Sequence, residues 1–112
     1  MLEAADTDIA RFFSLFADDC VFRLGNNEIV RGRHDIQEWV GGFLGGVTGL
    51  RHTVLEMWFE GEVTAVHADV TYTLHDGTSL TLPVVTRTRI REGQAHEYLI
   101  FMDPGPVVAA SS

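Results

Sequence analysis

Ile9, Phe12, Phe13 and Phe16 recur at i, i+3, i+4 and i+7, which is one stripe of a helix, and Asp6 or Asp8 stands where an N-cap belongs. Ile36, Trp39, Val40, Phe43, Leu44 and Val47 repeat that spacing and predict a second helix, entered through Arg33-His34-Asp35. Gly41, Gly42, Gly45 and Gly46 fall inside it, each costing about 1 kcal/mol relative to Ala. They fit either a frayed helix end or a close backbone approach. Between the helices, residues 20–24 read as a strand, Asn26-Asn27 as a turn, and the stretch near Ile29 as a short strand. From Leu50 onward the chain reads as four strands, over 50–60, 62–75, 79–91 and 94–103, punctuated by Gly61, Asp76-Gly77 and Glu92-Gly93. Pro104-Gly105-Pro106 then opens a tail, so the ordered part of a single domain is expected over 6–106, with 107–112 trailing. Helices followed by a long meander predict an α+β fold with the helices on one face of a curved antiparallel sheet.

Turn chemistry sets the expected register. A two-residue type I′ turn at Asp76-Gly77 would place Asp69 opposite Val84, His67 opposite Thr86 and Thr71 opposite Leu82. A three-residue turn at Arg91-Glu92-Gly93, with Gly93 as a left-handed bulge residue, would place Ile100 opposite Val84, Tyr98 opposite Thr86 and His96 opposite Thr88. A two-residue turn there would instead flip Tyr98 and Ile100 to the other face. Under the favoured registers, His67, Asp69, His96 and Tyr98 share a face with Leu82, Val84, Ile100 and Met102. Neither face is cleanly polar. One is expected under the helices and the other under a second subunit.

Composition narrows the chemistry. The 112 residues include eight Arg and no Lys, which removes amine nucleophiles and Schiff-base mechanisms. Sixteen acidic residues leave a net charge of −8, the wrong sign for nucleic acid or an anionic membrane. One cysteine, Cys20, excludes an intrachain disulfide and a Cys-rich zinc site, and it reads as a small core residue. No apolar run reaches transmembrane length and no signal-peptide pattern opens the chain, so a soluble cytoplasmic domain is expected.

A carboxylate among aliphatic neighbours has its charged form disfavoured, which moves it toward the range useful for proton transfer. Asp69 is therefore the candidate acid or base, with His67 as its partner two residues away on the same strand face and Tyr98 as a hydroxyl donor to a developing oxyanion. The same residues would equally serve as a solvated face or a polar patch in a dimer interface. Arg87, Arg89 and Arg91 alternate along one strand and are expected to pair with Glu56, Glu60 or Glu97. His34, His52 and His75 stand at element ends and read as solvent-facing. The histidines show no paired metal-ligand spacing, so neither metal nor cofactor is expected.

Leu15-Phe16-Ala17-Asp18-Asp19-Cys20-Val21-Phe22, Arg31-Gly32-Arg33-His34-Asp35-Ile36, Arg91-Glu92-Gly93-Gln94 and the stretch from Tyr98 to Pro104 resemble the nuclear transport factor 2-like superfamily, and within it the SnoaL-like branch. The resemblance spans residues 6–106. It implies a cystatin-like cone, in which a strongly bent antiparallel sheet wraps N-terminal helices around one apolar pocket, in a homodimer. The family's opening helix is longer than the stretch before Asp6, so a truncated opening helix is expected: either the chain begins late, or Met1 to Ala5 is a stub and the pocket is more open. Relatives include ketosteroid isomerases, polyketide cyclases, limonene-type epoxide hydrolases and scytalone-type dehydratases. Where the isomerases carry a base this chain has Leu24, and where they carry an oxyanion acid it has Val84 or Val85. Against the epoxide hydrolases only Asp69 is retained, with His67 for an Arg, Ile100 for an Asp, and Phe22 and Leu24 for the Tyr and Asn. Trp39 and Val40 match pocket-wall positions.

The expected function is thus a SnoaL-like enzyme moving a proton on a small, mostly apolar, oxygenated substrate, in isomerisation, cyclisation or dehydration. Asp69, His67 and Tyr98 would act, within walls that include Phe22, Leu24, Trp39, Val40, Phe43, Thr71, Leu82, Val84, His96, Ile100 and Met102. The alternative is a non-catalytic ligand-binding or dimerisation domain.

Overall fold

The computed structural model describes residues 2–111. Two short helices, α1 (Leu2–Thr7) and α2 (Ile9–Ser14), precede β1 (Phe16–Leu24), β2 (Val30–Arg31) and α3 (Arg33–Phe43). The long strands β3 (Val47–Glu60), β4 (Val63–Leu74), β5 (Ser79–Arg91) and β6 (Gln94–Phe101) follow, and α4 (Gly105–Ser111) closes the described chain. The six strands form one curved, unclosed sheet in the order β2-β1-β6-β5-β4-β3, confirming the α+β class. All neighbours are antiparallel except β1 and β6. Among the described residues, no helix is long and apolar enough to cross a membrane.

Strand periodicity decides which side is filled. Along β4, Val66, Ala68, Val70, Tyr72 and Leu74 are buried while His67, Asp69, Thr71 and Thr73 are only half-buried. The first set faces the helices and the second the outside of the sheet. On the inner side, Phe12 of α2 meets Phe16 and Tyr98 edge-on at 5.0 and 5.5 Å between ring centroids, Phe13 meets Phe16 edge-on at 5.9 Å, and Phe16 is tilted on Tyr98 at 5.4 Å. Phe22 stacks on Tyr98, and Ile36 and Val40 of α3 complete this cluster. A second cluster joins Val66, Val70, Tyr72 and Val84 to Val107. Fully buried Val107 belongs to α4, so the segment that reads as a tail docks on the sheet. Phe16 and Val47, which extend the two predicted helical stripes, instead open β1 and β3.

Two turns correct the expected registers. Gly77 N–H donates to the Leu74 carbonyl at 3.0 Å, and Leu74 N–H donates to the Thr78 carbonyl at 2.9 Å. His75, Asp76 and Gly77 therefore form a three-residue loop, held by the Asp76 carboxylate, which accepts from the Thr78 N–H and hydroxyl at 3.0 and 2.6 Å. This pairs Asp69 with Pro83, His67 with Val85 and Thr71 with Thr81, one residue away from the two-residue expectation. One residue of slip exchanges faces.

The next turn errs in the opposite sense. Arg91 pairs with Gln94, and Glu92 and Gly93 both have positive φ (54° and 77°), as a two-residue type I′ turn requires. The extra residue appears further on, as a bulge at His96 between the Ile90–Ala95 and Arg89–Glu97 pairs. That bulge restores the parity the tight turn would have reversed, and Tyr98 and Ile100 pair with Thr88 and Thr86 on the inner side.

Candidate functional site

Between the inner face of the sheet and the helices lies an apolar cavity of about 70 Å³. Its walls come from α2 (Ile9, Phe12), α3 and its end (Val40, Phe43, Leu44), β1 (Phe22), β3 (Leu50, His52), β4 (Val70, Tyr72), β5 (Val84, Thr86) and β6 (Tyr98, Ile100), with Ala5 of α1 at the rim. Polar groups in this lining are few: the Tyr72, Tyr98 and Thr86 hydroxyls and the His52 imidazole.

His52 is held by α1. Its backbone N–H donates to Asp6 Oδ2 at 2.7 Å, and its Nδ1 lies 2.6 Å from Asp6 Oδ1. The side chains are 11% and 16% exposed, so the pair sits in a desolvated wall where a carboxylate–imidazole hydrogen bond is strong. With a carboxylate on Nδ1, that nitrogen carries the proton of the neutral ring, and Nε2 keeps its lone pair. Nε2 has no hydrogen-bond partner among the described residues. Burial pushes the Tyr72 phenol up to about 12, and its hydroxyl donates to Met102 Sδ at 3.7 Å. Burial holds Tyr98 well above the ordinary tyrosine range, and the nearby Asp6 carboxylate adds to the shift. Both phenols stay protonated and can only donate or accept hydrogen bonds as neutral groups.

The sequence-predicted residues divide into three sets. Phe22, Val40, Phe43, Val84, Tyr98 and Ile100 line the cavity. Leu24, Trp39, Leu82 and Met102 stand behind that lining, Trp39 stacked on Phe43 at 5.7 Å and 8°. His67, Asp69, Thr71 and His96 do not reach it. Asp69 lies on the outer face between Thr53 and Pro83, and His67 between Glu56 and Val85. Thr71 Oγ1 bonds Thr81 Oγ1 at 2.9 Å, and His96 approaches Asp19 at 3.6 Å. Beyond them, Arg87 pairs with Glu97 at 2.7 Å, whereas Arg91 pairs with Glu62 at 3.2 Å rather than with Glu56 or Glu60.

His52 itself corrects the solvent-facing expectation, while His34 and His75 are exposed as expected. Its signal was present: Leu50, His52 and Val54 alternate with Arg51 and Thr53, so His52 shares the apolar face of its strand. Asp6 carried no such signal, because its partner is 46 positions away.

The chain matches the SnoaL-like domain profile over residues 2–98. No curated protein matches it in sequence. Among solved structures, a nuclear transport factor 2-like protein of unknown function from Burkholderia pseudomallei superposes with TM-score 0.83 at 18% identity, covering 99% of this chain and 91% of the other. A protein from Jannaschia, proposed to be a SnoaL-like polyketide cyclase, gives 0.79 at 20%, covering 97% and 82%. A protein of ketosteroid isomerase-like fold from Catenulispora acidiphila, solved with trimethylamine, gives 0.80 at 18%, covering 98% and 87%. At these identities the likeness is one of fold. The inner helix-lined face, the single bent sheet and the profile match together establish that this chain belongs to the SnoaL-like domain family of the nuclear transport factor 2-like superfamily.

Proposed function

We propose that this protein is a small-molecule enzyme that moves a proton on a neutral, mostly apolar, oxygenated substrate held in the inner cavity. The observation that carries the reading is His52 in the cavity wall, its Nδ1 held by Asp6 at 2.6 Å from behind that wall. His52 Nε2 would take a proton from carbon or oxygen, while the neutral Tyr98 hydroxyl would donate to the oxygen on which charge develops. The same base can return the proton elsewhere, giving isomerisation, or leave an enol poised for cyclisation or for loss of water. Apart from His52, the cavity lining is apolar or carries only hydroxyls, which suits a substrate without net charge. Family membership and the cyclase proposed among the structural neighbours support a small-molecule chemistry of this class.

The test is proton–deuteron exchange of a carbon acid such as 2-tetralone in D₂O, followed by NMR. The protein should accelerate exchange over buffer, and His52→Gln should lower the catalysed rate by about 10²–10³. Equal rates for the two proteins would remove His52 from the chemistry.

The outer sheet face supports a second proposal, that it is covered by another copy of the chain in a homodimer. On this face Trp58 pairs with Ala65 and Val85 with Phe101, while Arg87 stands between Ala65 and Leu99. Trp58 and Phe101 are 47% and 56% exposed, which is costly for a monomer in water.

A further inference from the structure

β3 is one edge of the sheet, with β4 on one side and no strand of the described residues on the other. Exposed edges are commonly blunted by Lys, by Pro or by shortness. β3 runs for 14 residues and contains neither Lys nor Pro. Its second half is apolar: Val54, Leu55, Met57, Trp58 and Phe59 are each 47–72% exposed. Surface of that kind, on a strand with unpaired backbone groups, is a template for another strand.

The bulge in β3 decides which strand fits. Val54 pairs with Ala68 and Glu56 with His67, so Leu55 is the extra residue. Odd and even positions exchange faces there. Leu50, His52, Val54, Met57 and Phe59 lie on the inner face, and Arg51, Thr53, Glu56, Trp58 and Glu60 on the outer. Residues directly opposite in an antiparallel pair share a face. Two copies of β3 related by a two-fold axis between Leu55 and Glu56 meet that condition. Arg51 then stands opposite Glu60 and Thr53 opposite Trp58 on the outer face, with His52 opposite Phe59 and Val54 opposite Met57 on the inner. An axis one residue earlier also matches faces, but it sets Arg51 against Trp58 and Glu60 against Gly49. Charge selects the first register, because Arg51 and Glu60 are exposed and neither has an ion-pair partner among the described residues.

We propose that β3 pairs edge to edge, antiparallel, with β3 of a second copy in this register. Two Arg51–Glu60 pairs flank the axis and fix the alignment, while Val54 and Met57 bury one another across it. Phe59, the most exposed of the large apolar side chains, comes beside His52 of the second copy, on the β3 side of the cavity wall. Nearest the axis, Glu56 lies beside Glu56 of the second copy, which is the one like-charge contact of the register. A single pair of strands belongs to the size class of weak encounters, below about 1,200 Å². The contact therefore fills at roughly 0.1–1 mM protein, and in dilute solution the outer-face contact proposed above acts alone.

Sedimentation equilibrium of the Phe101→Arg protein between roughly 0.05 and 1 mM isolates the edge contact. That protein should dimerise over this range. Arg51→Glu or Glu60→Arg alone sets like charges opposite each other twice and should weaken the dimer about tenfold. The two substitutions together reverse each pair and should restore the parent association. Glu56→Gln should tighten it severalfold. Absence of dimerisation would overturn the pairing, and a double variant no tighter than the singles, or a Glu56→Gln dimer no tighter than the parent, would overturn the register. Amide ¹⁵N shifts give the location: they should move with concentration along residues 51–60 and stay fixed at Val30–Arg31, the opposite edge. Shifts confined to any other strand would also overturn the pairing. Failure of the outer-face homodimer looks different: Phe101→Arg would leave the state in dilute solution unchanged, with the charge series still responding.

Discussion

Cys20 shows how one buried atom governs pH dependence. Burial, with smaller contributions from Asp19 and Glu97, pushes its thiol from 9.0 to about 11. Below pH 9 the thiol is protonated folded or unfolded, and nothing changes. Between 9 and 11 only the unfolded chain ionises, so stability is lost as pH rises through that window. At pH 10.5 Cys20 alone should lower stability by about 2 kcal/mol, and Tyr72 adds a loss of the same sign that continues to about pH 12. Urea unfolding at pH 8 and 10.5 measures this, and Cys20→Ser should reduce the difference between the two. Gly25 is a residue-scale constraint of another kind. Its φ is +55°, its N–H donates to the Ile100 carbonyl at 2.7 Å, and an added Cβ would sit 2.8 Å from the Met102 carbonyl oxygen. Gly25→Ala should cost about 1–3 kcal/mol in thermal or urea unfolding. A cost near zero would mean that the turn after β1 opens freely.

At the scale of elements, two turns distribute side chains between the faces. The Asp76 loop and the His96 bulge each contribute one residue of offset, and a single offset exchanges the faces of a strand. Removing the imidazole and removing the residue should therefore differ sharply. His96→Ala loses only a half-exposed side chain near Asp19 and should unfold within about 0.5 kcal/mol of the parent. Deleting His96 turns Tyr98 and Ile100 outward and should abolish the cooperative transition. If the deletion variant melts like the parent, the bulge does not set the register of β6.

At the scale of the molecule, the helices and α4 fill one side of the sheet and leave aromatic rings exposed on the other. The outer face mixes Arg87 and Glu97, paired at 2.7 Å, with the exposed rings of Trp58 and Phe101. Phe101→Arg replaces one of those exposed rings, beside Val85, with a charge. Sedimentation velocity should give a dimer for the parent and a monomer for the variant, with unchanged circular dichroism. A monomeric parent would end the homodimer proposal. His67 and Asp69 belong to this same face, so their contribution is to be sought in association before chemistry.

The sequence by itself determined the elements, the fold class and much of the cavity wall. Periodicity is a local property, and alternation along β4 or the stripe in α3 follows from side chains within a few positions of one another. The four long strands and the apolar residues Phe22, Val40, Phe43, Val84 and Ile100 were legible for that reason. The tertiary structure alone decided which polar residues meet the cavity. Asp69 and His67 turned outward because the Asp76 carboxylate closes a loop one residue longer than the Asp-Gly signal suggests, a choice made by a side-chain hydrogen bond. Tyr98 turned inward through two offsets that cancel, which no single turn encodes. Asp6 and His52 became a pair only when α1 docked on β3, across 46 positions, and no local pattern carries a contact of that range.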